Sequence, residues 1–299
     1  MVSSFPTGGL QFMNRHRKTA FSILLVLIMM LGMTPVPASC TDEESALLRF
    51  HQINVGCACA NLITVNDTVI LVDCGTDTDA GLNNQPLLDY LSAVGINHID
   101  CWFLTHYHND HAINLNTLLE LYGTDTTVVF GPSAVLPDRF LPLAAGHYLQ
   151  FAENEQYSCA GIVFTCLGPE SRDVTGELNK DSLNIRMDYG DTSFMITGDC
   201  VADNLIVRHP DEIRDIDVLC FPHHGLTPYK VSTYILSAMN SSLVLVASNA
   251  AGNIRVYCKN CGLNATVLCS GKAGNIVVTS DGHGLSVSEQ ADPADFAVQ

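Results

Sequence analysis

Positive charge is scarce in this chain: 14 Lys and Arg stand against 31 Asp and Glu in 299 residues, a formal net charge of −17. A surface of that sign repels phosphate backbones, which disfavours non-specific capture of DNA or RNA through a basic face. Several architectural signals are missing too. No long Pro-, Ser- or charge-rich linker interrupts the chain after Cys40, and no repeat of solenoid length is present. The N-terminal apolar run, Ala20 to Met33, falls short of the roughly 20 residues that span a bilayer. Cys258 and Cys261 form a CKNC pair with no second pair at zinc-finger spacing, so a zinc ribbon is not expected. Hydrophobic residues nevertheless make up 47% of the chain, enough to bury the core of one large domain.

The first 38 residues differ in kind. Arg15, Arg17 and Lys18 precede the apolar run, and TPVPA closes it, with Val36 and Ala38 in the small-residue positions before a cut. That pattern predicts a signal peptide at 1–38, a mature domain at 39–299, and a secreted or extracytoplasmic location. If the segment is not cleaved it becomes a membrane anchor; otherwise no stable membrane span is expected. Lipidation at Cys40 is a further alternative, against which Pro37 argues. Cleavage would remove three positive charges and no acidic ones, taking the net charge to −20. Most of the twelve cysteines read as small core hydrophobes, because Cys74, Cys101, Cys166, Cys200 and Cys220 lie in or beside apolar runs. Disulfides at Cys57–Cys59 or Cys258–Cys261 are alternatives for an exported chain.

Strand patterns come first: LLRFHQINV, ANLITV and TVILVD, with Asn66 and Asp67 as a turn. A helix follows at Gln85 to Val94, then the buried strand HIDCWFLTH and a helical spacing over Ala112 to Tyr122. TVVFGP and the stretch from Phe151 to Gly190 favour strands, with a hairpin turning at Tyr189, Gly190 and Asp191. A helix, the strand IDVLCF, a helix at Val231 to Met239, the strand LVLVAS, a short helix and a hairpin through NIVVTSDGHGLSV complete the chain. Two sheets face to face with helices outside are expected, and the motifs fall at strand ends, where catalytic groups are usually placed.

Directly after the strand CWFL comes THYHNDH, with three histidines and a carboxylate between His106 and His111. Packing alone does not explain that density. In an extended stretch His106 and His108 point the same way and can meet one ion, while Asp110 and His111 face a second as the chain turns into a helix. Asp73 reads as a turn-fixing hydrogen-bond group, and His51, His98, His147, His209 and His283 lack ligand spacing.

HxHxDH resembles the signature of the metallo-β-lactamase superfamily. LVDCG at Leu71 to Gly75, ITGD at Ile196 to Asp199 and FPHHG at Phe221 to Gly225 resemble its other motifs, in order and spacing. The set is more similar to one branch, the C-terminal domain of ComEC-type competence proteins and secreted phosphorylcholine esterases. Ser248 and Asn249, SGKAGNIVVTSDG, and the NKDS stretch Asn179 to Ser182, where other branches carry a histidine, all fit that branch. The likeness covers nearly all of residues 48 to 288.

The resemblance implies an α+β, four-layer αββα sandwich. It also implies two divalent ions, zinc or manganese: His106, His108 and Asp199 around one, and Asp110, His111, Asp199 and His224 around the other. Asp110 and His223 are the expected catalytic residues, with His223 facing substrate. A shared carboxylate suits two ions, and such a pair lowers the pKa of a bridging water toward about 7, so that a metal-bridging hydroxide can act as nucleophile. The expected activity is hydrolysis of a small-molecule or cell-envelope phosphoester, more specifically a phosphodiester. The alternatives are another ester or lactone hydrolase, an extracellular nuclease, and a metal-binding extracellular module without turnover. Leu226 stands where the branch commonly has serine and AINL where it has a glycine pair, which leaves the ligands intact but alters the pocket.

Overall fold

The structure is a computed structural model that describes residues 46–140, 143, 146–170, 174–249 and 251–298. The expected signal peptide, its cut at Ser39 and the lipidation candidate Cys40 lie outside the described residues. Among the described residues, no helix is long and apolar enough to cross a membrane.

The chain opens with β1 (Leu48–Gln52), β2 (Ala60–Val65) and β3 (Thr68–Cys74), then α1 (Gln85–Val94) and β4 (Ile99–Phe103). Next come α2 (Asn109–Ala112), α3 (Leu115–Tyr122), β5 (Gly123–Gly131) and β6 (His147–Gln150). The second half holds β7 (Gln156–Cys159), β8 (Ile162–Gly168), β9 (Asn184–Tyr189), β10 (Thr192–Ile196), α4 (Leu205–Arg208) and β11 (Val218–Cys220). It continues with α5 (Thr233–Met239), β12 (Leu243–Val246), α6 (Ala251–Asn260), β13 (Thr266–Cys269), α7 (Ser270–Ala273), β14 (Ile276–Ser280) and β15 (Leu285–Ser288).

Strand order is β15-β14-β1-β2-β3-β4-β5-β6 in one sheet and β13-β12-β11-β10-β9-β8-β7 in the other. β3 through β6 run parallel, as do β10 through β13. Parallel neighbours need crossovers, and helices supply most of them. The C-terminal ends of the parallel strands therefore gather their loops, the usual place for a site in open sheets.

Side-chain alternation explains the layers. On β3 and β4, Ile70, Val72, Cys101 and Phe103 enter a central core with Phe164, Ile185, Met187, Phe194 and Ile196 of the opposing sheet. Their neighbours Val69, Leu71 and Trp102 face outward against Leu87, Leu91 and Leu118 of α1 and α3. The second sheet repeats this, with Met195, Leu219 and Val244 packed on Leu205, Ile235 and Ile254 of its helices. This is the expected α+β arrangement of two sheets between helices. In α1 the buried Leu87, Tyr90, Leu91 and Val94 form one helical stripe, ended by Gly95 at φ 84.

Two expectations need correction. The helix read over Ala112 to Tyr122 is two pieces, because Asn114 turns its amide back onto the Cys74 carbonyl and the Thr76 hydroxyl. The short helix expected after LVLVAS is ten residues long, and β13 and α7, which follow it, went unread. The cysteine reading needs none: the eleven of the described residues are free thiols, and the alternative disulfides are not formed.

Candidate metal centre

Strand ends from both sheets meet at one place. THYHNDH leaves the end of β4, the TGD turn leaves β10, and PHHG leaves β11. Gly198 makes the second approach close enough: its φ is +52, and a Cβ there would fall 2.8 Å from Thr105 Cβ. Gly75, at the end of β3, is tighter still, since a Cβ would lie 1.6 Å from the Asp110 carbonyl oxygen.

Donor atoms of Asp110, His111, Asp199 and His224 all lie within 4.8 Å of one another, as do those of His106, His108 and Asp199. Asp199 belongs to both of these groups, and a third set, Cys59 with His111 and His224, also lies within that distance. Its Oδ1 is 3.0 Å from His111 Nε2 and 3.5 Å from His224 Nε2, whereas its Oδ2 is 3.7 Å from His106 Nε2. Asp110 Oδ2 is 3.1 Å from His224 Nε2. All six residues expected to hold ions are thus brought together; His223 is in neither group.

The histidines share a further property that fits metal ligation. A ligating imidazole normally has its far nitrogen held by the protein, which fixes tautomer and ring orientation. His111 Nδ1 is 2.7 Å from Asp73 Oδ2, and His108 Nε2 is 2.9 Å from the Glu177 carbonyl. His106 Nδ1 meets Thr105 Oγ1 at 3.2 Å, and His224 Nδ1 meets Cys59 Sγ at 3.7 Å. His106 Nε2 is buried and has no hydrogen-bond partner among the described residues, an orphan that a cation would satisfy. Imidazole and carboxylate donors in this arrangement suit a borderline divalent ion.

Electrostatics point the same way. Burial works against charge on His111, but the carboxylates of Asp199 and Asp73 outweigh it and hold the ring well above its ordinary pKa. Burial and the charge on His111 push His106 well below. Asp110 is held down to about 2: burial would raise it, but the His224 hydrogen bond and the His111 charge prevail. Asp199, opposed by burial in the same way, is kept far below the usual carboxylate range by His111, His224 and His106. The centre is a set of ionised carboxylates that draws positive charge into a buried place.

Asp73 acts on this centre without belonging to either donor group, accepting from Thr105 N and Oγ1 at 2.8 Å as well as facing His111. Ser182, from NKDS, accepts from Asp199 N at 3.0 Å. His51, by contrast, is buried against Tyr90 with its pKa lowered to about 3 by burial, and lies outside the groups.

PHHG does not continue the β11 strand. It forms one 3-10 turn in which His223 and His224 both take left-handed conformations, at φ 55 and 53. Non-glycine residues rarely adopt such backbone, and it clusters at functional sites. His223 Nδ1 is buried without a partner among the described residues. Leu226, just beyond, lines a pocket of about 470 Å³ with Cys57, Leu82 and Ser248. Cys59 was missed in the sequence because nothing in its spacing from the histidines marks it.

Residues 60–149 match the family model described as metallo-beta-lactamase superfamily. Over 207 residues the chain is 29% identical to recombination protein 2 of Haemophilus influenzae, which covers 66% of this chain and 24% of that protein. Over 80 residues it is 32% identical to ribonuclease Z of Clostridium botulinum, covering 25% of this chain and 23% of that one. The chain thus spans about a quarter of the length of these relatives. Among solved structures, the metallo-beta-lactamase fold protein YhfI from Bacillus subtilis superposes with a TM-score of 0.52 at 15% identity, over 75% of this chain and 96% of that one. The family match over residues 60–149 and the superposition on YhfI agree on likeness to the metallo-β-lactamase superfamily and its fold, and the similarity to recombination protein 2 is a ComEC-like resemblance over 66% of the chain.

Proposed function

We propose that the protein is an exported, binuclear metal-dependent hydrolase of a phosphodiester. The observation that carries this reading is the position of Asp199, whose two carboxylate oxygens face two separate sets of histidines. His106 and His108 would hold one ion with Asp199; Asp110, His111 and His224 would hold the other with it. Zinc suits this donor set best, with manganese as the second choice. When bound, the pair supplies an activated water and positive charge for an anionic transition state. Asp110 would complete the second donor set and act on the activated water as a catalytic residue. His223, in a left-handed turn beside His224 and with Nδ1 unpartnered among the described residues, would protonate or hydrogen-bond the substrate's leaving oxygen. The net charge of −17 and the pocket beside Leu226 favour a small or envelope-derived ester over nucleic acid.

Metal analysis followed by a chromogenic ester panel, with zinc and with manganese, tests the proposal. Turnover of bis(p-nitrophenyl) phosphate well above that of p-nitrophenyl acetate is expected. The reverse order would point to a carboxyl ester or lactone hydrolase, and a fully loaded protein inert on the whole panel would be a binding module. Export is supported by the basic, apolar and small-residue order before Ser39. N-terminal sequencing from the producing cell should begin there; an intact N-terminus or an acylated Cys40 would replace that part of the reading.

A further inference from the structure

Every histidine of the centre has its far nitrogen held by the protein, and three of the four holders are oxygens: Asp73 carboxylate, Glu177 carbonyl and Thr105 hydroxyl. The fourth is sulfur. Cys59 Sγ lies 3.7 Å from His224 Nδ1, on the side of the ring away from Nε2, which faces Asp110 at 3.1 Å and Asp199 at 3.5 Å. Cys59 is itself pinned to the centre. Its backbone N donates to the Asp110 carbonyl at 2.8 Å, and its carbonyl accepts from Gly75 N at 2.7 Å. One residue therefore touches the loop bearing Asp110 and the ring of His224, two ligands that reach the same place from different sheets.

We propose that Cys59 is the positioning residue of His224, its sulfur accepting the Nδ1 proton so that Nε2 is presented to the ion shared with Asp110 and His111. The inference rests on the binuclear reading above and assigns a residue that no motif contains. Its logic is that of a carboxylate behind a zinc-bound histidine, with a weaker acceptor in the same role. The tautomer decides the matter. A proton on Nδ1 leaves the Nε2 lone pair free, whereas a thiol donating to Nδ1 would put the proton on Nε2 and block it. A cavity of about 20 Å³ beside Cys59 leaves room for a slightly larger acceptor.

Titration of purified protein with zinc, and separately with cobalt, reads two ions in sequence. Cys59→Ala should weaken one of the two by about 10- to 100-fold, the range typical for groups behind a ligand, and leave the other unchanged. The unaffected ion, held by His106, His108 and Asp199, serves as the check that the variant is folded. Cys59→Asp, which restores an acceptor, should recover most of the lost affinity, and a merely structural role would not predict that recovery. The wild-type cobalt spectrum should show no thiolate-to-cobalt charge-transfer band, since sulfur stays behind the ring. Equal affinities for both ions in Cys59→Ala, or a charge-transfer band in the wild type, would overturn the positioning role while leaving two ions in place. Failure of the wild type to take up any ion would overturn the binuclear reading itself, and this inference with it.

Discussion

At the scale of single residues, the proposed function gives the two adjacent histidines of the PHHG turn different jobs, ligation for His224 and catalysis for His223. His224 Nε2 is within reach of Asp110 and Asp199, whereas His223 shares no donor group and its ring centroid is 6.5 Å from that of its neighbour. Successive left-handed residues aim the two side chains differently, although they are consecutive in sequence. His224→Ala should lose metal by at least the 10- to 100-fold typical of groups one step further out. His223→Ala should keep its metal and lose about 10²- to 10⁴-fold in rate, the range of a positioned acid or base. Metal content measured beside kinetics separates the two, and the opposite assignment of metal loss would mean their roles are exchanged.

Among the elements, the contact between the end of β3 and the short helix α2 is the most constrained. Gly75 has the Asp110 carbonyl where a side chain would begin, and its own N donates to Cys59. Gly75→Ala cannot be absorbed by a rotamer change, because the obstacle is backbone. The α2 segment must move, carrying Asp110 and His111 with it. Lower thermal stability and a marked loss of metal from a variant with every ligand intact are expected, by calorimetry and metal analysis; wild-type metal content would show that the loop gives way without disturbing the site. This contact also marks the limit of what the sequence discloses. The candidate ligands were legible because metal coordination demands particular side chains, and HxHxDH, TGD and HHG carry them at short spacing. The sandwich was legible because apolar alternation reports buried faces. Cys59 and the division of the helix at Asn114 were not, since each depends on what the folded chain places opposite it: a histidine from the turn after β11 in one case, the Cys74 carbonyl in the other.

The whole molecule is organised around a first strand with a distant partner. β1 lies between β2, its near neighbour, and β14, so that Leu48 pairs with Ser280 and Gln52 with Ile276. The same first sheet, through β3 and β4, delivers THYHNDH to the centre, while Asp199 and His224 come from the second. Closing so long a loop is entropically unfavourable until the contacts that reward it exist. A chain that emerges N-terminus first, whether from a ribosome or from a translocation pore, therefore carries β1 with one open edge through most of its synthesis. An open edge is a template for wrong pairing. It is also a delay. The native sheet cannot close on this side until residue 280 has appeared, so the last strands to be made cover the edge of the first.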